Sequence, residues 1–393
     1  MVGWRTDSGR EVLSMNEALH RQLVSGELTG WRAALGRLGL SGLSLGYGTG
    51  VGLRALGFRT GWLKSKRVAV PVISIGNLTA GGTGKTPFAA YVARWFRDRD
   101  TRVAFLSRGY GADPGAVNDE ALVLNLLCPD VPHLQNPDRV AGAEIAIQEL
   151  ESQLLILDDG FQHRRLARDL DIVLIDATNP WGYNALLPRG YLREPLSALR
   201  RASVIVLTRV DQVAASELAA IRERIKQTGW KNKIGGPADF VEVSFPSHQL
   251  TNSQGEICDW EAIQHPPLDR QPRIAAFCGI GNPAGFRQLL SQRGFAVEDA
   301  AFRVFPDHHG YTRDDVEQLQ TWAADLQATA IVTTQKDLVK LELTKLGKIP
   351  LWAAEITAEI HAGQELLEAW FQKMHDLIPA DEFEDWTTCA QNE

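Results

Sequence analysis

An apolar run, Val68 to Ile75, leads into TAGGTGKT, Thr79 to Thr86, and then into a helical pattern that begins near Pro87. No other feature of the chain narrows the fold as far. A strand, a glycine-rich turn and a helix in that order make a phosphate cradle, because glycine permits the sharp turns that aim successive backbone N–H groups at one anion. Here those groups belong to Gly81, Gly82, Thr83 and Gly84, and the following helix adds the positive end of its dipole. The spacing carries Lys85 to the β- and γ-phosphates and the Thr86 hydroxyl to Mg²⁺. Thr79 stands where the generic pattern has glycine, and Ala80 follows it. The expected nucleotide loop is therefore Thr79 to Thr86, with Mg²⁺ beside it.

Short apolar runs then alternate with longer helical patterns at 102–107, 154–158, 171–176 and 203–208. Such alternation predicts right-handed βαβ units, hence a P-loop NTPase-like α/β fold with a mainly parallel sheet and helices on both faces. A second set of strands, 240–243, 273–280, 330–334 and 351–356, is separated by helical patterns at 286–293, 314–326 and 361–374, and predicts a smaller second α/β lobe. At 393 residues the chain has room for both. The expected organisation is a polar tail over 1–27, a cationic amphipathic segment over 28–67, and a P-loop core over 68–245. A Pro- and Asn-rich seam over 246–272, a second lobe over 273–377 and an acidic tail over 378–393 complete it.

Acids with the right neighbours are few. Asp158 and Asp159 end the strand LLILD, which puts them on the sheet edge where the P-loop opens, the Walker B arrangement that holds Mg²⁺. Asp119 and Glu120 precede the apolar run ALVLNLL and, on spelling alone, are a capped helix start with a first-turn acid. In GYLREP, Arg193 and Glu194 read equally as partners of phosphate and metal or as a surface ion pair. FPDHHGY sets His308 and His309 beside Asp307. No zinc-spaced ligands stand near, so an oriented acid/base dyad is the better expectation.

The net charge of −7 argues against a nucleic-acid binder. The four cysteines are scattered and form no CxxC pair. Yet no acidic residue occurs between Glu27 and Asp98, while Arg32, Arg37, Arg54, Arg59, Lys64, Lys66 and Arg67 gather ahead of the first strand. Mixed with Trp and Leu, they predict one or two short amphipathic helices, either docked on an anionic membrane surface or packed on the core. No apolar run reaches the roughly 18 to 20 residues of a spanning helix, and the N-terminus lacks the apolar stretch of a signal peptide.

Taken in order, GNLTAGGTGKTP, SRGYG, Asp119-Glu120, NPDR ending at Arg139, LDDGFQHRRL, PRGYLREP, FPDHHGY and TQKDLVKL resemble the tetraacyldisaccharide 4'-kinases of lipid A biosynthesis over about residues 30 to 375. The resemblance implies transfer of the ATP γ-phosphate to the 4'-hydroxyl of an acylated glucosamine disaccharide 1-phosphate, with Mg²⁺, at the cytoplasmic face of the inner membrane. It implies that Asp119 is the base, oriented by His308. It also implies that Asp158, Asp159, Glu120 and Glu194 surround metal and phosphates, with Arg139, Arg193 and His163 near charge on nucleotide or substrate. Gln335 stands where the family often has Glu. The competing expectation is a P-loop regulatory ATPase at the membrane surface, which typically carries a second lysine where this chain has Ala80.

Overall fold

The computed structural model describes residues 19–109, 118–234, 239–264 and 273–379. The tail residues 1–18 and 380–393, and most of the loop after SRGYG, lie outside them.

Among the described residues, eight strands form the first sheet: β1 Val72–Asn77, β2 Val103–Ser107, β3 His133–Gln135, β4 Leu154–Asp158, β5 Leu170–Asp176, β6 Val204–Thr208, β7 Val241–Ser244 and β15 Glu359–Ala362. Their order is β15-β7-β6-β5-β1-β4-β2-β3, parallel except for β15. The central strands are buried along their whole length, so they read as unbroken apolar runs and not as an alternation. Alternate residues still serve opposite faces. Ile73, Ile75, Leu154 and Ile156 pack under helices Lys85–Arg97, Asp119–Leu127 and Gln364–His375. Val72, Leu155 and Leu157 pack under helix Arg139–Gln148 on the other face.

The second sheet holds β8 Gln249–Thr251, β9 Ile257–Asp259, β10 Ile274–Cys278, β11 Phe302–Val304, β12 Ala330–Thr334, β13 Lys345–Leu346 and β14 Ile349–Ala354. Helix Pro283–Gln292 covers one face, and helix Arg313–Asp325 covers the other together with Leu338 of helix Gln335–Leu341. Both sheets match the expected α/β class: the first is parallel apart from β15, and the second joins β11, β10, β12 and β14 in parallel while β8, β9 and β13 pair antiparallel.

Four segments depart from the sequence-based outline. The stretch 246–264, expected in a seam, supplies the β8–β9 hairpin and helix Trp260–Gln264 to the second lobe, pairing antiparallel on β14. The terminal helix, expected with the second lobe, returns to the first: Leu366, Leu367, Trp370, Phe371 and Met374 pack with Phe96. Its apolar spacing dictates a buried stripe, but spacing cannot say which sheet covers that stripe. Residues 19–25, expected in a tail, are helical; Val24 is buried and the His20 ring donates to the Pro188 carbonyl at 2.8 Å.

The cationic segment is one helix, Trp31–Arg59, of 29 residues and not two short ones. It contains no proline, so every backbone N–H is available to the helix ladder, and the Ser41 and Thr49 hydroxyls donate to carbonyls four residues back. Its middle docks on the turn after β5. Ser44 donates to the Leu186 carbonyl at 2.8 Å and Tyr47 to the Arg193 carbonyl at 2.9 Å. Gly48 permits that approach, since a Cβ there would stand 3.0 Å from Leu186.

Candidate active site

The P-loop leaves β1 between its two sheet neighbours, β4 and β5. Donors from the surrounding fold hold its carbonyls. The buried Asn77 amide donates to the Thr79 and Gly81 carbonyls at 2.7 and 3.3 Å. Thr208 donates to Thr83 O at 3.0 Å and Arg209 to Gly82 O at 2.8 Å, with Asp176 paired to the same guanidinium. The Ala80 N–H donates to Tyr191 O and the Arg193 N–H to Leu78 O, tying the loop to the PRGYLREP segment. Gly84 must be glycine on two counts: its φ is +85°, and a Cβ would lie 2.1 Å from the Phe245 ring. Helix Lys85–Arg97 starts directly after it, so the cradle and the positive helix end coincide.

Asp158 and Asp159 sit at the same edge, because Asp158 is in register with Ile75 of β1. Their environments diverge. Burial pushes the Asp158 carboxyl up to about 6 against the pull of Lys85, and the negative charges of Asp159 and Glu120 add to the rise. Burial would raise Asp159 too, but Lys85 at 3.4 Å and Arg193 at 2.7 Å outweigh it and hold that carboxyl at about 2. Asp159 adopts φ +50°, and the next residue can only be glycine, since a Cβ at 160 would lie 2.6 Å from the Ser74 hydroxyl. The DDG spelling is thus a packing requirement as well as a chemical one.

Arg139 begins helix Arg139–Gln148, buried, and interacts electrostatically with Asp159 and Asp158; its Nε has no hydrogen-bond partner among the described residues. Burial and the cations Arg139, Arg168 and Arg54 push His163 down to about 4, so it is a neutral ring among arginines. Two acids grouped with the metal side are engaged elsewhere in this arrangement: Glu194 pairs with Arg201 at 2.8 Å and Glu120 with Lys336 at 3.0 Å. Among the described residues, no group of three or more His, Cys, Asp or Glu side chains converges as a ready-made metal cage. The donor set that suits Mg²⁺, a hard cation preferring oxygen, is the Thr86 hydroxyl at the helix start with the buried Asp158 carboxylate.

Asp119 opens helix Asp119–Leu127, whose N-cap Asn118 accepts from the Ala121 N–H. The His308 ring reaches it from the second lobe, Nδ1 donating to Oδ2 at 2.9 Å. His308 lies at φ +57° and its own N–H donates to Asp307. His309 faces away, donating to Asp315 at 3.1 Å and stacking on Phe305 at 4.8 Å, so the two histidines do not share a ligand. Burial tends to raise the Asp119 carboxyl, but His308 and Lys340 together bring it below its ordinary value. The same hydrogen bond raises His308.

Sequence reasoning missed the supporting groups Asn77, Asp176, Thr208 and Arg209, and it assigned no part to Lys336 and Lys340 within TQKDLVKL. The two lysines had one available signal, their four-residue spacing beside an acidic pair elsewhere. Gln335, the departure in that motif, is buried with its amide oxygen accepting from the Ile356 N–H at 3.1 Å.

A sequence model of the tetraacyldisaccharide-1-P 4'-kinase family matches residues 37–375. A protein of Anaeromyxobacter dehalogenans strain 2CP-C named tetraacyldisaccharide 4'-kinase is 38% identical over 363 residues, 86% of this chain and 92% of the relative. A protein of the same name from Syntrophus aciditrophicus is 36% identical over 336 residues, 81% of this chain and 87% of the relative. The solved structure of LpxK from Aquifex aeolicus in complex with ATP superposes with a TM-score of 0.67 at 28% identity, covering 87% of this chain and 99% of that one.

Proposed function

Because this chain belongs to the tetraacyldisaccharide 4'-kinase family, it moves the γ-phosphate of ATP to the 4'-hydroxyl of a tetraacyldisaccharide 1-phosphate, and we propose how its own residues do so. Asp119 is the proton acceptor. The observation that carries this reading is the 2.9 Å bond between Asp119 and His308, which joins the two lobes over the edge where the P-loop opens.

Phosphoryl transfer asks a protein for positioning and charge neutralisation more than for covalent chemistry. Lys85 and the N–H groups of Gly81 to Gly84 hold the β- and γ-phosphates. Arg193 and Lys85, both spent on Asp159 here, have the reach to turn to phosphate when the nucleotide enters. Arg139 adds a buried positive charge that acts on both Asp159 and Asp158. Mg²⁺ would be held by Thr86 and Asp158, where it supplies neutralisation of phosphate charge. The acceptor oxygen bonds to the γ-phosphorus as its proton passes to Asp119. The bond from that phosphorus to the β-bridging oxygen breaks, and ADP leaves with the electron pair. A carboxylate held below its ordinary pKa is a weak base, so the proton moves late, as the new bond forms.

The acceptor's four acyl chains keep it in a bilayer, and helix Trp31–Arg59 is our proposed dock at the cytoplasmic face of the inner membrane. Trp31, Leu35, Leu38, Leu43, Leu45 and Leu53 are all exposed on it, alongside Arg32 and Arg59. This is the composition of an interfacial helix that attracts anionic lipid. Among the described residues no helix is long and apolar enough to cross a membrane. The deciding experiment is labelled ATP with a tetraacyldisaccharide 1-phosphate acceptor in mixed micelles, followed by chromatography of the lipid. Label in the lipid supports the reading. ATP consumption that does not depend on the acceptor would instead support the regulatory ATPase.

A further inference from the structure

The motif TQKDLVKL lies on helix Gln335–Leu341, and two of its side chains cross to the first lobe. Lys336 meets Glu120 at 3.0 Å and Lys340 meets Asp119 at 2.7 Å. The pairing follows from geometry: residues four apart share one helix face, and they face two consecutive acids in the first turn of helix Asp119–Leu127. Asp337, between them, points the other way and is fully buried. It accepts from the Gly279 N–H at 3.0 Å, the Tyr311 hydroxyl at 2.9 Å and the Thr334 hydroxyl at 2.6 Å. Those three bonds fix the rotation of the short helix within its own lobe. The lysines therefore arrive at the acids on a rigid mount.

Lys340 is the sharper case. Its side chain is only 10% exposed, and its ammonium meets Oδ2 of Asp119, the same oxygen that accepts from His308. A hydrogen-bonded imidazole and an ion-paired ammonium from different elements, both on one oxygen, leave the other, Oδ1, as the oxygen able to take a proton from an acceptor hydroxyl. Two fixed contacts also define the plane of the carboxylate, which a single histidine with 55% of its side chain exposed would not.

We propose that Lys340 is a positioning residue for phosphoryl transfer: with His308 it holds Asp119 Oδ2 so that Oδ1 is presented to the sugar hydroxyl. The Lys336–Glu120 pair sets the seat of the helix that delivers it. This inference rests on the reading of Asp119 as proton acceptor, and its test separates the two.

The variants are Lys340→Met, which keeps the stem and removes the charge, Lys340→Arg, Asp119→Asn, and Lys340→Met combined with Asp119→Asn. Each is assayed with labelled ATP and a tetraacyldisaccharide 1-phosphate in micelles, with a thermal melt as a check on folding. Lys340→Met should lower kcat by about 10- to 100-fold, the scale of a misplaced catalytic group, while KM for ATP and for acceptor stays within about twofold. Lys340→Arg should fall between it and wild type, because a planar guanidinium cannot set one nitrogen where the compact ammonium stands. In the Asp119→Asn background, Lys340→Met should cost nothing further, as residues acting through one another are non-additive. Wild-type kcat in a folded Lys340→Met beside an impaired Asp119→Asn overturns the inference alone, as do multiplying losses. Full activity of Asp119→Asn overturns the base assignment and the inference with it. Should Lys340→Met fail to fold, Lys340→Arg decides: an unchanged kcat counts against the proposal, and a reduced kcat at constant KM supports it.

Discussion

Replacing His308 with alanine separates catalysis from stability, because the structure predicts very different sizes for the two effects. The side chain is 55% exposed and its partner Asp119 is 20% exposed, so solvent screens the pair. Exposed ion pairs of this kind contribute about 0.2 to 1 kcal/mol. For a lobe of this size that is a fall in Tm of at most about 2 to 4 °C. The catalytic loss should be larger. Losing a general base outright costs about 10² to 10⁴ in rate, which sets the expectation for Asp119→Asn. His308→Ala keeps the carboxylate, and Lys340 still holds Oδ2 at 2.7 Å. The loss in kcat should therefore be smaller than for Asp119→Asn, about 10- to 100-fold, or about 1.4 to 2.8 kcal/mol of barrier. ATP affinity should be little changed. Steady-state kinetics with saturating acceptor, nucleotide binding by calorimetry and a thermal melt measure all three. The pair also has a pH signature. Asp119 raises the His308 pKa above its ordinary 6.5, so the histidine's contribution to stability is fully present below 6.5 and fades as pH rises through the folded value. The variant should lose that part of the stability profile. A Tm drop of 10 °C with kcat intact would refute the argument, as would a kcat loss that multiplies with that of Asp119→Asn.

Lys85→Ala should abolish transfer with little change in Tm, since the amine contacts Asp159 at the site and not the core; retained transfer in the folded variant would remove the P-loop assignment. Phe371→Ala should destabilise the first lobe by about 3 to 5 kcal/mol, although the residue lies beyond the second lobe in sequence, because its ring meets Phe96 and Trp95 at 5.5 and 5.2 Å. A chemical denaturation midpoint that does not move would contradict the return of the terminal helix. Arg32→Glu with Arg59→Glu should release the protein from anionic vesicles and raise KM for vesicle-borne acceptor while sparing ATP binding in detergent. Undiminished vesicle sedimentation would take the helix out of membrane docking.

The parts legible in the sequence are those whose cause is local. A strand, a glycine-rich turn and a helix are contiguous, so TAGGTGKT announces both its conformation and its ligand class, and apolar strands buried on both faces announce a parallel sheet with helices above and below. LDDGFQHRRL carries part of its geometry in the same way, since a Cβ at Gly160 would stand 2.8 Å from the Leu157 side chain three residues before it. What a single stretch cannot carry is the identity of its distant partner. Helix Gln364–His375 shows its buried stripe in its spacing, yet only the packed fold sends it back to Phe96 across the second lobe. Asp119 and His308 are 189 residues apart, Glu120 and Lys336 are 216 apart, and each looks by itself like an ordinary helix start or surface charge. Their chemistry depends on two lobes meeting, and that meeting is decided by the burial of many apolar faces at once and by no motif.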